Sequence, residues 1–131
     1  MRARPVVASP RRVLLVDDNW DSVESLALLL TLEGFETRTA HDGIEAIEKA
    51  ESYRPDVILL DIGLPLMSGY DVCRTIRAEP WGTDIMVIAL TGWGHEDDRR
   101  RTSAAGFTAH MVKPVDFAVL MKQLSTTKTL S

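Results

Sequence analysis

Four short apolar runs in this chain each end on a residue able to do chemistry. Val13-Leu14-Leu15-Val16 leads into Asp17 and Asp18, and Val57-Ile58-Leu59-Leu60 leads into Asp61. The run from Ile85 to Leu90 meets Thr91, and His110-Met111-Val112 meets Lys113 and Pro114. An open α/β sheet builds its sites at the carboxyl ends of its strands. If these runs are strands of one sheet, Asp17, Asp18, Asp61, Thr91 and Lys113 gather along a single edge. Clustered carboxylates suit a divalent cation. With an ammonium and a hydroxyl beside them, the set reads as a site for a divalent cation and a phosphoryl group.

The elements needed to position such a set are legible in the patterning. Residues 13–16 and 57–60 are continuous apolar runs, as expected of strands covered on both faces. Residues 35–40 alternate with polar Glu36 and Arg38, which predicts an edge strand; residues 85–90 and 109–112 complete five strands. Between them, Val23, Leu26, Ala27 and Leu30 recur at helical spacing over residues 20–33, with Asp18 or Asn19 as cap and Gly34 as stop. Further helices are predicted at 43–52, with Ile44 and Ile47 inward, and at 70–78, 96–105 and 116–124. Two glycines and a proline keep residues 62–69 irregular. Strict alternation of strand and helix predicts a parallel sheet with helices on both faces.

Composition agrees with one compact domain. The 131 residues are 45% apolar and 26% charged, ordinary globular values, and no internal repeat is visible. A net charge of −4 argues against a nucleic-acid backbone as partner. The lone Cys73 lies in a helical pattern and reads as buried filler. No stretch approaches the roughly 18 apolar residues of a membrane span, and the first ten residues lack the apolar core of a signal peptide. Residues 1–11 are expected to be a flexible tail or linker, 12–124 the domain, and 125–131 a polar tail. A cytoplasmic location is expected.

The order Asp17-Asp18, Asp61, Thr91, Lys113-Pro114 resembles the receiver domain of two-component response regulators, across residues 12–124. The resemblance implies an α/β fold: a single doubly wound (βα)5 flavodoxin-like domain with parallel strand order 2-1-3-4-5. It implies Asp61 as phosphoacceptor, and a Mg²⁺ (or Mn²⁺) held by Asp17, Asp18, Asp61 and the backbone carbonyl of Gly63. Lys113 would supply a second counter-charge and Thr91 a hydroxyl to a phosphoryl oxygen. A cis peptide before Pro114 is also implied. The stretch from Ala89 to Gly94, with Gly106-Phe107 and Lys113-Pro114-Val115-Asp116, is similar to receivers of hybrid sensor histidine kinases.

The family switches through the Thr91 hydroxyl and an aromatic residue three positions before the lysine; here that position is His110. Gly63 and Trp93, each two residues beyond a site residue, are implied modulators of water access to the acyl phosphate, and Trp20 is expected nearby. The mixed-charge run Glu96-Asp97-Asp98-Arg99-Arg100-Arg101 reads as a solvated helix face. By resemblance it borders the signalling face of fourth helix, fifth strand and last helix, a surface for partners or a homodimer. His41 and His95 fall in loops and are expected to be exposed.

The implied partners are a sensor histidine kinase or a histidine phosphotransfer protein, with no direct nucleic-acid or membrane contact. The domain would not be an enzyme in the turnover sense, since it catalyses only its own phosphorylation and dephosphorylation. An alternative is a phosphorylation-independent interaction module that keeps the fold. An aspartyl phosphohydrolase is disfavoured, because Gly63 stands where a second aspartate is needed as general acid. A flavodoxin is disfavoured because the loop after the first strand is acidic.

Overall fold

The structure, a computed structural model, describes residues 12–92 and 96–128. Strands β1 (Arg12–Val16), β2 (Glu36–Ala40), β3 (Val57–Asp61), β4 (Met86–Thr91) and β5 (Ala109–Val112) alternate with five helices. These are α1 (Trp20–Leu32), α2 (Gly43–Tyr53), α3 (Gly69–Arg77), α4 (Glu96–Ala105) and α5 (Phe117–Lys128). The strands form one parallel sheet in the order β2-β1-β3-β4-β5. This is the flavodoxin-like arrangement that the family resemblance implied.

Successive residues of a strand point to opposite faces, and the core divides accordingly. Leu14, Val16, Ile58, Leu60 and Val87 pack with Ala46, Ala50, Val72, Cys73 and Ile76 of α2 and α3. Val13, Leu15, Leu59, Ile88, Leu90 and Met111 pack on the other face, with Val23, Ala27 and Leu30 of α1 and Leu120 and Leu124 of α5. The three central strands are buried on both faces, whereas Glu36 and Arg38 on edge strand β2 are exposed. Cys73 is buried, as its place in the pattern required.

Four elements differ from expectation in instructive ways. In α2 the inward positions are Gly43, Ala46 and Ala50; Ile47 is partly buried and Ile44 is exposed. The cause is the close approach of α2 to its neighbours: a Cβ at Gly43 would lie 2.8 Å from Val72 Cγ2 and 2.9 Å from Met67 Cβ. Only small side chains fit that seam, so the isoleucine is turned outward. Helix α5 runs to Lys128 rather than stopping at Leu124, because no glycine or proline interrupts residues 125–128. Strands β3 and β4 each include the residue expected just beyond them, Asp61 and Thr91. Among the described residues, no helix is long and apolar enough to cross a membrane.

Candidate functional site

The ladder carries the site residues to the sheet edge. Asp61 pairs in register with Leu90 of β4, and Ile62 N donates to Leu90 O at 3.1 Å. Thr91 pairs with Val112 of β5, and Lys113 N donates to Thr91 O at 2.7 Å, which fixes the backbone from which the lysine reaches back. Asp17 N donates to Ala40 O of β2 at 3.1 Å. The turn after β1 is closed locally: Asn19 N donates to Asp17 Oδ1 at 2.9 Å, and Asn19 Oδ1 accepts from Ser22 N at 3.1 Å, capping α1. Asn19, rather than Asp18, is the cap. Both aspartates are thereby left for the cleft.

Asp17 and Asp61 are buried, at 6% and 7% exposure, while Asp18 is exposed. Carboxylates in such surroundings need counter-charge and hydrogen bonds. Lys113 Nζ supplies the first, 2.9 Å from Asp17 Oδ2 and 3.3 Å from Asp61 Oδ2. Asp61 Oδ1 accepts from Gly63 N at 3.1 Å. These contacts do not balance the cluster. Burial, followed by the neighbouring charge of Asp17, raises the Asp61 carboxyl above its ordinary range despite Lys113 and the Gly63 N–H. Burial pulls Lys113 down, but its bond to Asp17 and the charge of Asp61 outweigh it, and the ammonium is held more firmly than usual.

The charge count points the same way. Asp17, Asp18 and Asp61 bring three negative charges and Lys113 one positive, leaving two, the charge that one divalent cation neutralises. Carboxylate oxygens of the three aspartates lie within 4.8 Å of one another. Ligands about 2.1 Å from an octahedral Mg²⁺ stand about 3 to 4.2 Å apart, so a small inward adjustment suffices. The donors are hard oxygens, the type Mg²⁺ and Mn²⁺ prefer. The residues therefore fit the expected ion.

The structure places Thr91, His110, Gly63 and Pro114 among the remaining expected residues. Thr91 is buried, and its Oγ1 lies 3.1 Å from His110 Nε2. A Cβ at Gly63 would stand 3.9 Å from Asp61 Oδ1, at the rim of that carboxylate. The Lys113–Pro114 peptide is cis. Trp93 and His95 lie outside the described residues. His41 corrects its expectation: it is not exposed but half-buried, stacked on Trp20 with ring centroids 3.4 Å apart. Its Nδ1 lies 3.5 Å from Glu45 Oε1. The indole of Trp20, itself largely exposed, covers this histidine. Of the basic run in α4, the Arg101 guanidinium sits 4.2 Å over the Tyr70 ring; the side chains of Glu96, Asp97 and Asp98 lie outside the described residues.

Sequence reasoning missed Gly69. A Cβ there would lie 2.7 Å from both Asp61 O and Ile62 Cα, so the residue lets α3 start against the end of β3. Its signal was the pair Ser68-Gly69 before a helical pattern, a cap followed by a close approach. Ser68 Oγ accepts from Asp71 N at 3.3 Å. Beside the cleft, a cavity of about 500 Å³ opens between α1 and the segment after β5, walled by Leu26, Leu29 and Val115.

This fold with this edge defines a class, and comparison with known proteins agrees with it. Residues 13–125 match the response regulator receiver domain, and the chain belongs to that family. It is 42% identical over 118 residues to the transcriptional regulatory protein PrrA of Mycobacterium leprae, covering 90% of this chain and 49% of that one. The chain spans about half the length of the curated relatives it matches. Among solved structures it is similar to the receiver domain of sensor histidine kinase PA1611 from Pseudomonas aeruginosa PAO1 (34% identity, TM-score 0.83). That match covers 91% of this chain and 98% of the other, which has a magnesium ion coordinated in its active site cleft. It is also similar to the chemotaxis response regulator CheY4 of Vibrio cholerae (31% identity, TM-score 0.84, covering 89% and 98%).

Proposed function

We propose that this receiver domain is the phosphoacceptor of a two-component phosphorelay. Asp61 takes a phosphoryl group from a phosphohistidine, on a sensor histidine kinase or a histidine phosphotransfer protein, in a Mg²⁺-dependent reaction in the cytoplasm. The observation that carries this reading is the unbalanced cluster itself. Asp61 is buried beside Asp17, bridged by a single ammonium, with two net negative charges left for a cation.

In this reaction an Asp61 carboxylate oxygen attacks phosphorus. The bond from phosphorus to the imidazole nitrogen breaks, its electron pair returns to the ring, and an acyl phosphate forms on Asp61. Asp17, Asp18, Asp61 and the Gly63 carbonyl would hold Mg²⁺, or Mn²⁺, which when bound would supply positive charge against the phosphoryl oxygens. The protein's own contribution is positioning and electrostatics. Lys113, already 3.3 Å from Asp61 Oδ2, follows the carboxylate to a phosphoryl oxygen. Thr91 directs its hydroxyl to another. Gly63 places no side chain across the path of a hydrolysing water. The domain loses its phosphoryl group by its own catalysed hydrolysis and turns over no other substrate. The phosphorylated form alters what the surface of α4, β5 and α5 binds.

Intact-protein mass after incubation with acetyl phosphate and Mg²⁺ tests this. A single phosphoryl adduct is expected, lost with a chelator and in Asp61→Asn. No adduct, together with no beryllofluoride complex and no Mg²⁺ binding, would leave an interaction module with a receiver's fold.

A further inference from the structure

The bond between Thr91 and His110 joins two strands at the margin of the cleft, and the chemistry of its two atoms limits what it can do. Thr91 Oγ1 and His110 Nε2 stand 3.1 Å apart, from residues on adjacent strands, with Thr91 buried and His110 half-buried. A hydroxyl has one hydrogen and two lone pairs, and a neutral imidazole has one N–H and one bare nitrogen. Either atom can therefore donate, depending on the tautomer. An anion in the cleft removes that freedom. An anionic oxygen repels the lone pairs of Thr91 and accepts its hydrogen, so the hydroxyl has nothing left to donate to His110. The bond survives only if Nε2 carries a proton and donates to Oγ1.

We infer that His110 is a positioning residue for the Thr91 hydroxyl: with an anion at Asp61, its Nε2–H donates to Thr91 Oγ1, which donates to the anion. This rests on the receiver reading above and specifies its regulation. The two bonds point the same way and polarise each other, which strengthens both. The histidine follows the hydroxyl on its hydrogen bond, where an aromatic ring without a donor could only occupy space. The cleft's occupancy is then written into one side chain of edge strand β5. With Nε2 protonated, a neutral ring presents Nδ1 as an acceptor, so the far side of the ring changes character when the cleft fills.

Nitrogen NMR of the full chain labelled with ¹⁵N-histidine, with Mg²⁺ and beryllofluoride, tests this. The His110 signals are identified by their loss in His110→Phe. The expected result is a pyrrole-like Nε2 coupled to a proton once the fluoride adduct forms. A pyridine-like Nε2 in the adduct overturns the inference. Beryllofluoride affinity gives a second readout: His110→Phe should weaken it about five- to ten-fold, the worth of one hydrogen bond. The same substitution in a Thr91→Ala background should change it less than about two-fold, because the partner is gone. Equal losses in both backgrounds assign the effect to packing and overturn the inference. The receiver reading is tested separately, by a bound ¹⁹F signal that is absent in Asp61→Asn. If no such signal appears, that reading fails and takes the inference with it.

Discussion

The two ends of the sheet are built on opposite electrostatic terms. At the carboxyl edge, three aspartates and one lysine leave charge unmatched, and Asp61 is held above its ordinary titration range by burial and by Asp17. At the amino edge a single cation is saturated. Arg77, the last residue of α3, donates to Ile85 O at 2.7 Å, to Gly82 O and Gly106 O at 2.8 Å, and to Thr108 Oγ1 at 3.1 Å. Thr108 Oγ1 in turn accepts from Val87 N at 3.0 Å. One guanidinium thus ties the end of α3, the entry to β4 and the entry to β5. The contrast teaches where each end gets its definition. The amino edge holds its cation in hydrogen bonds from the chain itself, whereas the carboxyl edge keeps the uncompensated charge that the proposed function assigns to a cation.

The sharpest way to break the comparison is to remove the clasp. Arg77→Ala would leave four carbonyls, those of Gly82, Thr83, Ile85 and Gly106, and the Thr108 hydroxyl short of a donor. The expected loss is about 3 kcal/mol, seen as a melting temperature lower by roughly 10 °C. Mg²⁺ affinity should change little, because none of the Arg77 partners is a cleft residue. A comparable drop in Mg²⁺ affinity would show that the two ends are not independent.

At the carboxyl edge the sign reverses. A carboxyl raised in the folded state binds its proton more readily there than in the unfolded chain. Its contribution to stability is present below the unfolded value and is lost as pH rises through the raised one. Asp61→Asn should therefore melt higher than the parent in a chelator at neutral pH, and should lose that part of the pH dependence. Mg²⁺ should narrow or invert the difference, since an ion at a hundred times its dissociation constant stabilises the parent by about 2.7 kcal/mol. Thermal melts of both proteins with and without Mg²⁺ check this. A variant that melts lower in chelator would mean that Lys113 already balances the cluster.

Gly69→Ala tests how the fold holds the acceptor in place. Its Cβ would meet Asp61 O and Ile62 Cα, both backbone and both at 2.7 Å, so the chain must shift. The expected cost is about 2 kcal/mol, with weaker Mg²⁺ binding as Asp61 moves. Gly92→Ala is the control, because a Cβ there meets nothing within 4 Å.

How much of this was legible beforehand follows from what each feature depends on. The alternation of strands and helices and the five cleft residues depend on local runs and on spacing, and both were readable; the strand order came only with the family resemblance. The Arg77 clasp was not, because its acceptors are backbone atoms spread over residues 82–108, and main-chain carbonyls leave no mark in side-chain patterning. The outward turn of Ile44 escaped for a related reason: helical periodicity shows an apolar face but not how near the next helix stands. Gly43 and Ala46 carried that information, as small residues on one side of a short helix.

The smallest expected effect concerns Trp20, which follows the acidic pair by two residues and packs on His41. Its ring lies on His41, whose backbone N–H donates to Glu45 Oε1 at 2.8 Å. Glu45 also pairs with Lys49 at 3.0 Å, and Lys49 reaches Thr39 O of β2. Burial raises Glu45, but the His41 N–H and Lys49 outweigh it and hold it below the ordinary range. The stack thus belongs to a small polar cluster that fastens α2 to the end of β2. Trp20→Leu should cost about 1 kcal/mol, the usual worth of an aromatic pair beyond simple burial. The aspartates take their positions from the Asn19 N–H, the Ala40 carbonyl and Lys113, none of which needs the indole. Mg²⁺ affinity should therefore stay within about two-fold of the parent's, a margin of under 0.5 kcal/mol. Calorimetry of Mg²⁺ binding beside a melting curve separates the two effects. If affinity falls while stability holds, the stack shapes the cleft directly, and the boundary of the unbalanced edge must be drawn to include His41.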